Sequence, residues 1–250
     1  MHYRELGQGE TVVLLHGFLE NHKMWNQFAE TLSKDYHLII PDLLGHGDTP
    51  TASETHTMEM QAQHVIQILN HKEIESASFI GHSMGGYISM AIARDYPEKV
   101  KRLCLFFSNT LPDTDDKKQQ RLKAIETAEE NTESFVRHSV RGLFDPDKLA
   151  ELEQEIKQAR TWAMETPLEG IAAALRGMRE RTDTTQVLQQ AAYPIEIVLG
   201  EFDSAVDAEA FQQIMPGKDN IQVDILPVGH MGHLEAPKET LEILQDFLKR

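Results

Sequence analysis

Two kinds of apolar pattern alternate along the chain. Thr11-Val12-Val13-Leu14-Leu15 is a continuous run, which predicts a strand buried on both faces. Shorter or similar runs at His37-Leu38-Ile39-Ile40, Ser76-Ala77-Ser78-Phe79-Ile80, Val100 to Phe107, Ile195 to Leu199 and Ile221 to Leu226 predict further strands. Between them apolar residues recur at helical spacing. Trp25, Phe28, Ala29 and Leu32 do so within 23–34, and Val65, Ile66 and Leu69 within 57–70. Ile88, Met90, Ala91, Ile92 and Ala93 mark a helix over 87–94, and Leu241, Leu244 and Leu248 mark one over 237–249. A short first strand is followed by Gly7 and Gly9, a tight turn. Strand and helix in strict alternation predict a mostly parallel sheet with right-handed crossovers and helices on both faces, an α/β fold.

The alternation stops between 112 and 188, where no strand-like run occurs. Helices are predicted over 117–129, 133–140, 147–165 and 168–179, with Pro146 and Pro167 near the starts of two of them. This block is too long for a simple crossover. It predicts a helical cap, 112–188, inserted in a core made of 1–111 and 189–250. Phe135, Leu143, Phe144, Trp162, Met164 and Ile171 are the expected pocket walls of that cap. Charged residues interleave them, so each helix offers one apolar face and no broad hydrophobic plateau.

With 250 residues, 40% of them hydrophobic, one domain with an insertion has core enough to fold. The formal net charge of −16 argues against nucleic acid and anionic membranes as partners. The single cysteine, Cys104, excludes an internal disulfide and lies in an apolar run, so a core role is expected. There is no signal-like start and no run of membrane-spanning length, so a cytoplasmic protein is expected.

The chemistry centres on Gly81-His82-Ser83-Met84-Gly85-Gly86, which lies between a predicted strand and a predicted helix. That context places a serine in a sharp, strained turn with its hydroxyl above the sheet. A serine hydroxyl is a weak nucleophile at neutral pH and needs a base and an orienting acid. His230 follows the last strand and Asp203 follows the strand before it, so the order is Ser83, Asp203, His230. His233 is the rival base; Asp207 and Glu201 are rival acids. Backbone N–H groups of Phe18 and Met84 are the expected oxyanion donors, and Phe18 is also expected to touch substrate. His46 and His82 lack convincing metal spacing, and no phosphate-binding glycine motif is present. Neither a metal nor a cofactor is expected.

Together these motifs resemble the α/β-hydrolase superfamily of serine esterases and lactonases. Leu15-His16-Gly17-Phe18 is similar to its oxyanion loop, and Asp42 to Thr49 to its Asp-x-x-Gly-His-Gly loop. Gly81 to Gly86 resembles its elbow, Gly200 to Asp203 its acid turn, and Gly229 to Pro237 its histidine loop. Ala173 to Met178, with Arg181 and Asp183, is similar to the cap-to-core return of members near the 3-oxoadipate enol-lactonase type. The resemblance implies a serine hydrolase that cleaves a small carboxylic ester through an acyl-enzyme on Ser83 with Asp203 and His230, its partner a small-molecule ester or lactone. Lactone or carbon–carbon bond hydrolysis, and a slow-turnover ligand receptor, remain alternatives on the same fold. The N-terminus is short of one edge strand. Tyr87 stands where a menaquinone-pathway synthase of this fold is expected to have arginine, and Ser83 stands where dehalogenases and epoxide hydrolases have aspartate.

Overall fold

The computed structural model describes residues 1–250. Its strands are β1 (Tyr3–Leu6), β2 (Glu10–Leu15), β3 (Tyr36–Pro41), β4 (Ala77–His82), β5 (Val100–Phe106), β6 (Ile195–Gly200) and β7 (Ile221–Leu226). They form one seven-stranded sheet in the order β1-β3-β2-β4-β5-β6-β7. Only β1 runs antiparallel, against β3; every other pairing is parallel.

Strand residues alternate between the two faces, and the core divides accordingly. Val13, Leu15, Ile39, Phe79, Leu105 and Ile197 belong to one buried cluster. Their neighbours Val12, Leu14, Leu38, Ile80, Cys104, Phe106 and Val198 belong to the other. Helices α2 (Met58–His71) and α3 (Met84–Asp95) bury their apolar stripes in the first cluster. Helices α1 (Asn26–Leu32) and α11 (Pro237–Leu248) bury theirs in the second, through Phe28, Leu32, Leu244 and Phe247. All six residues of β4 are buried, which puts the strand ahead of Ser83 at the centre of the molecule. Cys104 is fully enclosed, and burial pushes its thiol up, away from reactivity.

Between β5 and β6 the chain forms α4 (Asp115–Glu130), α5 (Thr132–Arg141), α6 (Glu153–Ala163), α7 (Leu168–Glu180) and the short α8 (Thr185–Gln190). Thr114 caps α4 by accepting from Lys117 N–H, and Asp115 and Asp116 complement the positive end of its dipole. α4 packs on α5 and α7, and α5 on α6. One expectation does not hold. The helix expected from Asp147 begins only at Glu153, because Asp145 instead accepts from Asp147 N–H and turns the chain around Pro146. α8 lacks a recognisable apolar period in the sequence. After β6 come α9 (Ala208–Ile214) and, following β7, a single turn α10 (Gly232–Glu235). No helix is long and apolar enough to cross a membrane.

Candidate active site

Ser83 sits between β4 and α3 with φ 50° and ψ −114°. A non-glycine residue there is strained, and the surroundings must over-determine it. They do. Ser83 N–H donates to Phe106 O at 3.0 Å, and Ser83 O accepts from Gly86 N–H at 2.9 Å and from Ser108 Oγ at 2.8 Å. A Cβ on Gly81 would lie 2.3 Å from Gly85 O, and one on Gly85 would lie 2.5 Å from Leu15 O. Those two positions admit only glycine, because β4, the turn and β2 approach too closely for a side chain.

His230 and Asp203 meet beside this turn. His230 Nδ1 and Asp203 Oδ2 are 2.7 Å apart, with both side chains buried. Asp203 Oδ1 accepts from Ala205 N–H at 2.7 Å and Val206 N–H at 3.0 Å. Burial alone would raise the Asp203 pKa, but His230 and these amides outweigh it and hold the carboxyl below its usual range. A carboxylate at Nδ1 fixes the proton there and leaves Nε2 as the free acceptor. Ser83 and His230 line one cavity of about 150 Å³, together with Phe18, Tyr87, Leu143, Met178 and Met231. The rivals lie elsewhere: Asp207 caps α9, Glu201 is exposed, and His233 faces Glu20.

The Phe18 N–H makes no bond to another group of the chain. Met84 N–H opens α3, where no carbonyl lies one turn back to receive it. Gly17 N–H, by contrast, is taken by Glu20 Oε2 at 2.7 Å. His16 steadies the same loop. Its Nε2 accepts from Leu43 N–H at 3.0 Å, so its Nδ1 carries the proton and donates to Gly17 O at 2.8 Å.

Sequence reasoning missed a buried ion pair beneath the site. His82 Nδ1 meets Glu20 Oε2 at 2.7 Å, and its Nε2 meets His230 O at 3.1 Å. Both partners are acceptors, so both ring nitrogens donate and His82 is an imidazolium. Burial works against that charge, yet Glu20 outweighs it and raises the His82 pKa. Burial would likewise raise Glu20, but His82 and His233 hold it down at about 2. The pair joins the oxyanion loop, the elbow and the histidine loop. The 62 residues separating Glu20 from His82 gave no signal of it. A second missed cluster lies in the Asp42 loop. Asp42 accepts from His22 N–H and Asp48 N–H and faces the rings of His2 and His22. These contacts keep its carboxyl well below the usual range although burial opposes them. Glu235 supports the histidine loop, accepting from Gly229, Met231 and Asp145 N–H groups.

The expected pocket walls divide. Leu143 lines the inner cavity; Phe18, Leu143 and Phe135 line an adjoining outer cavity of about 380 Å³. Trp162 and Phe144 line neither. Trp162 packs in the cluster that holds Met24 and Trp25, and Phe144 is buried against the core near the Gly229 turn. Helical periodicity marked both as apolar and could not say which neighbour would cover them.

The buried histidines make stability pH-dependent. Burial lowers the pKa of His46 and of His233 to about 3, and also lowers those of His16, His56 and His64. A histidine held neutral in the fold contributes stability that is complete above its unfolded pKa of about 6.5 and declines as pH falls toward its folded value. Glu20 acts in the same direction between its ordinary pKa and about 2. Glu196 and Glu235, both raised by burial, and His82, raised by Glu20, act oppositely but are fewer. The urea midpoint of unfolding is therefore expected to fall steadily from pH 7 to pH 4. A midpoint that is flat or rises over this range contradicts the buried neutral state of these rings.

The family model described as the alpha/beta hydrolase fold matches residues 10–237. The chain belongs to the α/β-hydrolase family. As a hydrolase of this family it is similar to a thermophilic esterase from Thermogutta terrifontis. Identity is 27%, 99% of this chain and 92% of that one are covered, and the TM-score is 0.93. An enol-lactonase from Burkholderia xenovorans LB400 shares the fold at TM-score 0.91 and 20% identity, covering 100% and 96%. The human monoacylglycerol lipase ABHD6 is 24% identical over 97% of this chain and 76% of its own length.

Proposed function

We propose that this hydrolase is a serine carboxylesterase acting on small esters through an acyl-enzyme on Ser83. The observation that carries this is the pairing of His230 Nδ1 with buried Asp203 in the cavity that Ser83 lines. Nε2 of His230 takes the hydroxyl proton as Ser83 Oγ attacks the ester carbonyl. Asp203 holds the tautomer and stabilises the imidazolium as it forms. The tetrahedral oxyanion is received by the Phe18 and Met84 N–H groups. The imidazolium then protonates the leaving alcohol, and a water activated by the same nitrogen releases the acid. A lactone can follow the same steps, its leaving alcohol remaining tethered to the acyl group.

Helices α4 to α8 serve as the cap. Among the large apolar residues that stay well exposed, only Met164 lies in this block, so it offers no plateau for a lipid surface. The inner cavity of about 150 Å³ admits a short acyl chain. In a series of nitrophenyl esters from acetate to palmitate, kcat/KM is expected to peak at short chains and fall by about tenfold or more at the long end. Emulsified lipid is expected to give no jump in rate. Highest efficiency on palmitate, or activation at the interface, would overturn this reading of the cap. Turnover of no ester at all would favour the slow-turnover receptor.

A further inference from the structure

The inner and outer cavities share Phe18, Leu143, Ala205 and two cations, Lys117 and Arg121. Neither cavity is lined by an Asp or Glu. In a chain with 24 Lys and Arg against 40 Asp and Glu, that is the reverse of the overall balance. The two cations lie four residues apart on α4, so one helix face presents both.

Both retain donors for a ligand. Lys117 Nζ spends one N–H on Ala205 O at 2.8 Å and has two others. Arg121 holds Asp113 through Nε and Nη2, which leaves Nη1 uncommitted. Asp113 is fully buried and also receives Arg181 Nη1 at 2.6 Å. One carboxylate thus faces two guanidiniums. Lys117, Arg121 and Arg181 gather around Asp113 as the one directly paired carboxylate, three cations to one anion. Asp203 attracts Lys117 from a distance but makes no hydrogen bond to either cation, being held by His230 and two backbone amides. Burial and Arg121 lower the Lys117 pKa, and Asp113 and Asp203 offset them only in part.

We propose that Lys117 and Arg121 form an anion subsite, and that the substrate is an ester bearing a carboxylate a short chain away from the scissile bond. The proposal rests on the ester-hydrolase reading of Ser83 and names the substrate class of that same site. A cation pair that merely pinned α4 to the loop after β6 would not need to face the cavity. Charge-assisted hydrogen bonds to a carboxylate are the stronger kind, so their effect on selectivity is large.

The test compares kcat/KM for matched esters. Monomethyl adipate against methyl hexanoate places the charge on the acyl side; 4-acetoxybutanoate against butyl acetate places it on the alcohol side. The wild type is expected to prefer the anionic ester in one of these pairs by about tenfold or more. Lys117→Met and Arg121→Met are each expected to cut that ratio by about tenfold, and Lys117→Glu to reverse it. The ratio is taken within one protein, so a partly folded variant does not disturb it. Equal or better turnover of both neutral esters, or a ratio untouched by Lys117→Met, would overturn the subsite while leaving the esterase reading intact. Adipate alone gives a readout free of turnover: it is expected to raise the Tm of the wild type and not that of Lys117→Glu. If no ester reacts, the esterase reading fails, and the adipate shift still decides the anion subsite.

Discussion

Ser83→Ala is expected to lower kcat by about 10⁴–10⁶-fold, the scale seen when the nucleophile of such a unit is removed. The expectation comes from the backbone at this residue. A serine held at φ 50° is strained, and such strain clusters at active sites, where it holds a reacting group in place. The Ser83 backbone is fixed from outside by Phe106 O, Gly86 N–H and Ser108 Oγ, none of which involves its Oγ. Alanine therefore keeps the turn and loses only the reacting atom. Thermal stability should change little, which separates lost chemistry from lost folding. A variant retaining more than a tenth of the wild-type rate would contradict the assignment.

His230→Ala is expected to be nearly as damaging, about 10⁴-fold or more, and the double variant with Ser83→Ala only slightly worse than either alone. The two act as one unit, so their losses do not add. His233→Ala is the control that the structure defines. Its ring is buried against Glu20, 3.4 Å from Oε1, and does not line the cavity. Its loss should lower stability by leaving a void in the core and keep most of the activity. Rates of the four variants on one nitrophenyl ester, with their Tm values, decide this. The reverse ranking of the two histidine variants would show the base to be His233.

The fold was legible because the strands are coded by continuous apolar runs that few other elements produce. β4, buried throughout, and β2 are the clearest of these. Ser83 was legible for a local reason: Gly81 and Gly85 flank it where backbone crowds backbone. His230 and Asp203 were located only by their places after two strands, and the structure brings them to 2.7 Å. What sequence could not reveal depends on contacts between distant segments. Glu20 acquires its meaning from His82 and Gly17, and looks like an ordinary charge in the chain. Trp162 and Phe144 show why apolar period is not a pocket detector, since it reports burial and not the covering partner. Lys117 and Arg121 did carry a signal, two cations at helical spacing, but a charged helix face is most often solvated. Only the packing of α4 over the cavity gives it chemical content.

A covalent acyl-enzyme on Ser83 can be trapped. The protein is mixed with a short-chain nitrophenyl ester, quenched in acid within milliseconds to seconds, and weighed intact by mass spectrometry. Digestion then locates the added mass. One acyl group per chain is expected, on the peptide containing Ser83 and absent from Ser83→Ala. An acyl group on another residue, or the same labelling in Ser83→Ala, would contradict it.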